Sequence, residues 1–173
     1  QAPVIKRVIH TTADFDYADN LVFSPNVMEL AWQAIREGTP IITDTNMGKS
    51  GINKKRLANY GSEVYCFMAD EDVAEEARKH GTTCASMDKA ARLGLNGIFA
   101  IGNAPTALVR LHELMQEGAI KPRLIIGVPV GFVNVVQAKE LILTDDVPYI
   151  VARGRKGGSN VAAAICNALV NSI

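Results

Sequence analysis

Residues 97–117 read GIFAIGNAPTALVRLHELMQE, a short apolar run followed by a small polar loop and then by a longer stretch. The apolar residues of 97–101 are continuous, which is typical of a parallel strand covered on both faces. In 104–117, apolar side chains recur every three or four residues, as on one face of a helix. This segment therefore predicts one strand-loop-helix unit.

The same pattern recurs along the chain after residue 40. Predicted strands are 41–43, 63–68, 97–101, 124–128 and 149–152, and predicted helices are 49–59, 72–80, 87–95, 104–117, 134–143 and 159–170. An earlier helix is predicted between Ser24, as its cap before a proline, and Gly38 at its end. The prediction is an α/β fold, with residues 1–173 in a single three-layer α/β/α domain. Its sheet is mainly parallel, of about five strands, with helices on both faces.

The composition excludes several classes of protein. A chain of 173 residues with 48% hydrophobic and 21% charged side chains is typical of one globular domain and not of a disordered protein. Eighteen basic against eighteen acidic residues give a net charge of zero, so no overall field favours nucleic acid or a membrane surface. The longest apolar run, 161–166, is too short to span a membrane.

The three cysteines, Cys66, Cys84 and Cys166, form no CxxC pair and favour a reducing compartment, so a cytoplasmic location is expected. Inert buried thiols explain them best, although a catalytic cysteine paired with His10 stays open. His80 and His112 are interpreted as structural residues, His80 because it ends a helix whose charges match its dipole. Of the three histidines, His10 therefore remains as the candidate catalytic residue.

Ligands of an open parallel sheet bind beyond the carboxyl ends of its strands, so the loops there are searched first. Four of them are unusual: TDTNMG at 43–48, GNAPT at 102–106, PVGFVN at 129–134 and RGRKGGS at 153–159. The last loop combines three basic residues with three glycines and leads into a helix through Ser159. Backbone amides, the helix dipole and cations together predict an anion site. The alternative is a mobile turn with solvated charges.

Two nucleotide-binding patterns are excluded. The sequence GKS at 48–50 lacks the glycine that a phosphate-binding loop needs five residues earlier. The glycines at 154–158 do not have the spacing of a dinucleotide-binding turn.

His10 lies in RVIHTTADF at 7–15, three residues after Arg7. Imidazole is a natural proton donor near neutral pH, and a guanidinium offers a planar fork to a carboxylate. The spacing alone leaves open that His10 is held by Asp14 or by a backbone carbonyl.

Four stretches taken together, HTTADF at 10–15, GNAPTA at 102–107, GFVNVVQAKE at 131–140 and GRKGGS at 154–159, resemble the precorrin-8X methylmutase (precorrin isomerase) family. The resemblance runs essentially end to end. It implies an isomerase of corrin ring synthesis on the cobalamin (vitamin B12) pathway. Such an enzyme moves a methyl group from C-11 to C-12 of precorrin-8 or cobalt-precorrin-8 to give hydrogenobyrinate or cobyrinate. The resemblance implies no cofactor and no metal ion held by the protein.

The resemblance also assigns roles to residues. His10 is expected to be the catalytic general acid. It implies Arg7 as a substrate contact. Beside this, further substrate-binding residues are expected next to His10 and in the four loops: Thr11, Thr45, Asn46, Asn103, Phe132, Arg155, Lys156, Gly157, Gly158 and Ser159. The tetrapyrrole carries acetate and propionate carboxylates, which match the basic loop and the positive ends of helices around a cleft.

Further implications concern partners and chain length. The resemblance implies a homodimer with its sites near the subunit interface, with neighbouring pathway enzymes as possible contacts. It also implies a longer N-terminal stretch that supplies a substrate contact; only nine residues precede His10, so a trimmed chain is expected. Two alternatives stay open, a non-catalytic corrinoid carrier of the same fold and an α/β domain that binds a sugar phosphate.

Overall fold

The computed structural model describes the backbone of residues 1–173 and every side chain except that of His80. The interpretation of the His80 side chain therefore lies outside the described residues. The elements in chain order are α1 (Ala2–Thr12), α2 (Tyr17–Asn20), β1 (Leu21–Phe23), α3 (Val27–Arg36), β2 (Ile41–Thr43), α4 (Asn46–Gly51), α5 (Lys54–Ala58), β3 (Val64–Tyr65), α6 (Glu71–His80), α7 (Thr82–Arg92), β4 (Ile98–Ile101), α8 (Pro105–Gln116), β5 (Leu124–Gly127), α9 (Val135–Thr144), β6 (Tyr149–Ala152) and α10 (Ser159–Asn171).

The strands form one sheet in the order β1-β6-β5-β4-β2-β3. All neighbours are parallel except β1, which pairs antiparallel with β6. The five predicted strands are confirmed, although β3 is shorter than its predicted range. The sequence does not reveal β1, because this edge strand has only three residues and only Leu21 of them is buried.

Alternate strand residues enter two separate cores. In β4, Ile98 and Ala100 pack with α1, α3 and α10, whereas Phe99 and Ile101 pack with α7, α8 and α9. A strand buried on both faces in this way requires a helical layer on each side. The predicted three-layer arrangement is confirmed.

Two local predictions need correction, and one helix lies outside the predictions. The single helix predicted over 49–59 is two short helices, because Asn53 interrupts it and its side chain caps α5 by accepting from the N–H of Arg56. Ser24 does not cap α3, whose cap is Asn26; the Ser24 hydroxyl instead accepts from the N–H of Tyr149 at the start of β6. The helix α1, which carries His10, was not predicted. Among the described helices, none is long and apolar enough to cross a membrane.

Candidate active site

Three of the four predicted loops touch through their backbones at the carboxyl edge of the sheet. A Cβ atom at Gly102 would lie 2.6 Å from the carbonyl oxygen of Gly158 and 2.6 Å from the Cα atom of Ser159. A Cβ atom at Gly157 would overlap the carbonyl group of Val128. Only glycine permits such approaches, so these glycines allow the loops to meet.

Asp44 joins the fourth loop to this cluster. Its carboxylate is 1% exposed and lies directly after β2. One oxygen accepts from the N–H of Gly102 at 3.0 Å, and the other accepts from Asn103 at 2.9 Å and Ala104 at 2.8 Å. Burial raises the pKa of Asp44, while the three N–H groups favour its charged form. The amides before α8 are therefore engaged by Asp44 and are not open to a ligand.

Two of the predicted binding residues contact each other. The hydroxyl groups of Thr45 and Ser159 lie 2.8 Å apart, and Thr45 also caps α4 by accepting from the N–H of Gly48. This contact connects the start of α4 with the start of α10. Asn46 and Asn103 lie at the same edge and are exposed.

Lys156 connects the basic loop to the segment that follows His10. Its ammonium group lies 2.7 Å from a carboxylate oxygen of Asp14 and 2.7 Å from one of Asp16. The hydrogen bond from Lys156 lowers the pKa of Asp14, and the two carboxylates raise the pKa of Lys156. Asp14 is thus the partner of Lys156, and its described contacts do not include His10. A substrate contact of Lys156 stays a prediction.

His10 is exposed in the last turn of α1, which ends at Ala13 in a left-handed conformation. Among the described hydrogen bonds, none involves its imidazole ring. The residues that follow it line a cleft of about 410 Å³, whose walls are Thr11, Thr12, Asp14, Tyr17, Val130, Lys156, Gly157 and Asn160. His10 directly precedes Thr11 but is not itself among these walls, so its role as proton donor stays a prediction. Arg7 lies one turn earlier on α1 and is also exposed.

Large apolar side chains are exposed on the loops at this edge. Phe132 is 85% exposed, and Phe15, Met47 and Val133 are also largely exposed. The guanidinium carbon of Arg155 lies 5.8 Å from the centroid of the Phe132 ring, within the range of a cation–π contact. Exposed apolar patches commonly mark binding surfaces, and these flank basic residues. Such a surface suits a flat apolar ligand with an anionic fringe.

The other basic residue of the loop, Arg153, is already paired. Its guanidinium lies 3.0 Å from the carboxylate of Glu140 on α9. Of the three cations of the loop, Arg155 is therefore the one without a described carboxylate partner.

Sequence reasoning missed two functional candidates, Asp44 and Lys139. Lys139 is 1% exposed, and its ammonium donates to the carbonyl oxygens of Gly154 at 2.8 Å and Lys156 at 3.0 Å. Burial lowers the pKa of Lys139 to about 8. The position of Lys139 in its helix was the one signal in the sequence. Lys139 lies on the same face of α9 as the buried Val135 and Ile142, and a charged group on a buried face needs a hydrogen-bond partner.

The remaining candidates lie elsewhere. His112 pairs through Nδ1 with the Asp145 carboxylate at 2.9 Å, in agreement with a structural role. The three cysteines are unpaired, and burial raises the pKa of Cys166 to about 12. Among the described residues, no group of three or more His, Cys, Asp or Glu side chains is arranged to hold a metal ion.

Comparison with known proteins identifies the family of the chain. Residues 1–172 match the family described as Precorrin-8X methylmutase (CbiC). The chain is 48% identical to the cobalt-precorrin-8 methylmutase of Salmonella typhimurium, over 96% of this chain and 79% of the relative. It is 45% identical to the Leptospira interrogans protein of the same name, over 96% of this chain and 80% of the relative.

A solved structure supports the same grouping. The crystal structure of precorrin-8x methyl mutase from Thermus thermophilus superposes with a TM-score of 0.92 at 40% identity, covering 98% of this chain and 84% of that one. The names of these relatives are names of isomerases, which does not favour the non-catalytic carrier. The chain therefore belongs to the precorrin-8X methylmutase family, isomerases of cobalamin biosynthesis.

Proposed function

We propose that the chain moves the methyl group of cobalt-precorrin-8 from C-11 to C-12, with His10 as the proton donor and the cleft beside α1 as the substrate site. The observation that carries this proposal is a cleft lined by residues of the motifs at 10–15 and 154–159 together with Val130. Gly102 of a third motif packs against Gly158 of this loop, and the exposed His10 directly precedes Thr11 in the cleft wall. The preference for the cobalt-containing substrate is supported by the names of the relatives at 45% and 48% identity.

The main requirement of the reaction is a proton donor held at a defined position against the macrocycle. The reaction breaks one carbon–methyl bond and forms another on the neighbouring carbon, so the macrocycle gains and loses no atoms or electrons overall. A proton held against the conjugated ring draws electron density away from the carbon that releases the methyl group. General acid catalysis of this kind contributes about 10² to 10⁴ in rate.

Substrate binding is assigned to the residues predicted from the sequence, with Arg155 as the first candidate. Its cation lies over the exposed ring of Phe132, so both groups could meet the edge of a carboxylated macrocycle. A homodimer and a cytoplasmic location stay proposals. The exposed apolar side chains of the loops support the homodimer, and the three unpaired thiols support the cytoplasmic location.

Turnover of two substrates tests the proposed function. The purified chain is incubated with cobalt-precorrin-8 and, separately, with metal-free precorrin-8, while the absorption of the corrin product is followed. We expect conversion of the cobalt-containing substrate with the larger kcat/KM. Tight binding without any spectral conversion would support a carrier, and conversion of the metal-free substrate alone would contradict the assignment of cobalt.

Replacement of Arg155 by glutamine separates binding from chemistry. A cation that meets a peripheral carboxylate acts equally in the ground and transition states, so its loss raises KM and leaves kcat nearly unchanged. One charge-assisted hydrogen bond is worth about 1 to 3 kcal/mol, which corresponds to about a 5- to 150-fold increase in KM. Steady-state kinetics over a range of substrate concentrations measures both constants.

Arg153→Gln is the matched control, because it removes a cation of the same loop that already binds Glu140. We expect its KM to stay close to that of the unchanged protein. An equal KM for Arg155→Gln and the unchanged protein would remove Arg155 from the substrate site.

A further inference from the structure

Lys139 is a buried lysine whose charge is directed at the backbone of the glycine-rich loop, residues 153–159. It extends from α9 and is 1% exposed, and its ammonium donates to the carbonyl oxygens of Gly154 and Lys156. Removing an ammonium group from water is unfavourable unless hydrogen bonds compensate for it. The two carbonyl contacts provide this compensation, so the loop conformation and the buried charge depend on each other.

Peptide geometry determines where the neighbouring N–H groups of the loop point. The described peptide bonds include no cis bond, and in a trans peptide the N–H points opposite to the C=O. Because the carbonyls of Gly154 and Lys156 face Lys139, the N–H groups of Arg155 and Gly157 face away from it. Among the described hydrogen bonds, neither N–H has a protein acceptor.

The side opposite Lys139 is the side of the cleft. The helix α9 belongs to the layer with α8, whereas α1 packs with α10 on the other face of the sheet. Gly157 lines the cleft together with Thr11, Thr12 and Asn160. The N–H groups of Arg155 and Gly157 therefore face away from the α9 layer, and Gly157 itself lies in the wall of the cleft beside α1.

Two further hydrogen bonds hold the loop in this orientation. The N–H of Gly131 donates to the carbonyl oxygen of Arg155 at 3.1 Å, and the N–H of Gly158 donates to that of Val128 at 2.9 Å. The loop is thus held from α9 by Lys139 and from the loop after β5 by Gly131 and Val128. Neighbouring backbone N–H groups fixed in this way form a concavity that binds anions.

We propose that Lys139 is a positioning residue that turns the N–H groups of Arg155 and Gly157 into the cleft, where they bind one carboxylate of the substrate macrocycle. This inference rests on the proposed function, because the carboxylate-rich tetrapyrrole supplies the anion. Lys139 itself does not contact the ligand. Its effect on binding passes entirely through the backbone of the loop.

Lys139→Met removes the donors while keeping an unbranched apolar side chain. We expect KM for cobalt-precorrin-8 to rise about tenfold or more, with kcat nearly unchanged, because hydrogen bonds to a carboxylate in both states are weakened. A general loss of stability would instead lower the folded fraction and with it kcat, leaving KM unchanged. Lys139→Arg, which keeps donors within reach of the carbonyls, should restore part of the affinity.

Lys89→Met is the matched control, because Lys89 binds only Asp70 and Asp72 among its described ion pairs, on the α6 and α7 side of the fold. We expect its KM to equal that of the unchanged protein. Amide hydrogen exchange without substrate tests the positioning step by itself. The N–H groups of Gly131 and Gly158 should exchange at least about tenfold faster in Lys139→Met than in Lys89→Met, because the loop that they hold loses its third support.

The outcomes separate the two proposals. If the unchanged protein converts neither precorrin, the proposed function fails, while the exchange rates still decide whether Lys139 holds the loop. Equal exchange rates in the two variants overturn the positioning role, and faster exchange with an unchanged KM overturns the carboxylate contact. If Lys139→Met does not fold, the amide NMR signals of Arg155 and Gly157 in the unchanged protein decide. They should shift on titration with substrate, and unshifted signals in the bound complex overturn the inference.

Discussion

Replacing His10 by alanine is expected to lower kcat by about 10² to 10⁴, which is about 3 to 5 kcal/mol of transition-state stabilisation. The fold should remain intact, because His10 is exposed and makes no hydrogen bond among those described. Affinity for the corrin product should also change little, since the cleft walls are supplied by other residues. Single-turnover kinetics at saturating substrate measures the chemical step directly.

His112→Ala is the control for the loss of an imidazole. His112 binds Asp145 on the side of the α8 and α9 layer, away from the cleft, so we expect some loss of stability and normal kcat. Full activity of His10→Ala would end its assignment as proton donor. Weakened binding with an unchanged rate in the bound state would make His10 a ligand contact instead.

Replacing Asp44 by alanine is expected to reduce the free energy of unfolding by about 3 to 5 kcal/mol. The change leaves the N–H groups of Gly102, Asn103 and Ala104 without their acceptor in a buried place. Each unsatisfied buried donor costs about 1 to 3 kcal/mol, reduced where water enters the space. Urea denaturation followed by circular dichroism measures the loss.

Asp44→Asn should lose less stability than Asp44→Ala, because the amide keeps one acceptor oxygen but turns its NH₂ group toward a donor. Asp70→Ala is the surface control; its carboxylate binds Lys89 at 2.7 Å but is partly exposed, so we expect a loss below about 1 kcal/mol. Equal losses for Asp44→Ala and Asp70→Ala would show that the three amides find other partners.

Local patterns of apolar residues are sufficient to predict most of the strands and helices. The five strands that the sequence predicts are continuous apolar runs, and burial on both faces leaves that signature in any parallel strand. The edge strand β1 lacks the signature, because it is short and half-covered. The helix α1 leaves only a weak signal, the helical spacing of Val4 and Val8, which are both buried against the core.

The candidate site, like the fold, could be predicted only in part from the sequence. The motifs around His10, Asn103, Phe132 and Gly157 were identified from sequence because each is a contiguous stretch with unusual composition. The sequence also placed three of these motifs after strands, which locates them at one edge of a parallel sheet. Which side chains bind one another within that edge depends on contacts between distant parts of the chain.

Fold class, family resemblance and the group of loops at the candidate site can be read from the sequence alone, because they depend on local periodicity and contiguous motifs. The partners of the charged residues in these loops become visible only in the folded chain. Asp44 meets the amide of Gly102 across 58 residues, and Lys156 meets Asp14 across 142 residues. No local spacing encodes such pairs. The first arises because crossover connections bring the ends of β2 and β4 to one edge, and the second because α1 packs in one core with α10, which follows the glycine-rich loop. For that reason Lys156 is found between two carboxylates, and the buried Lys139 is found beneath the glycine-rich loop.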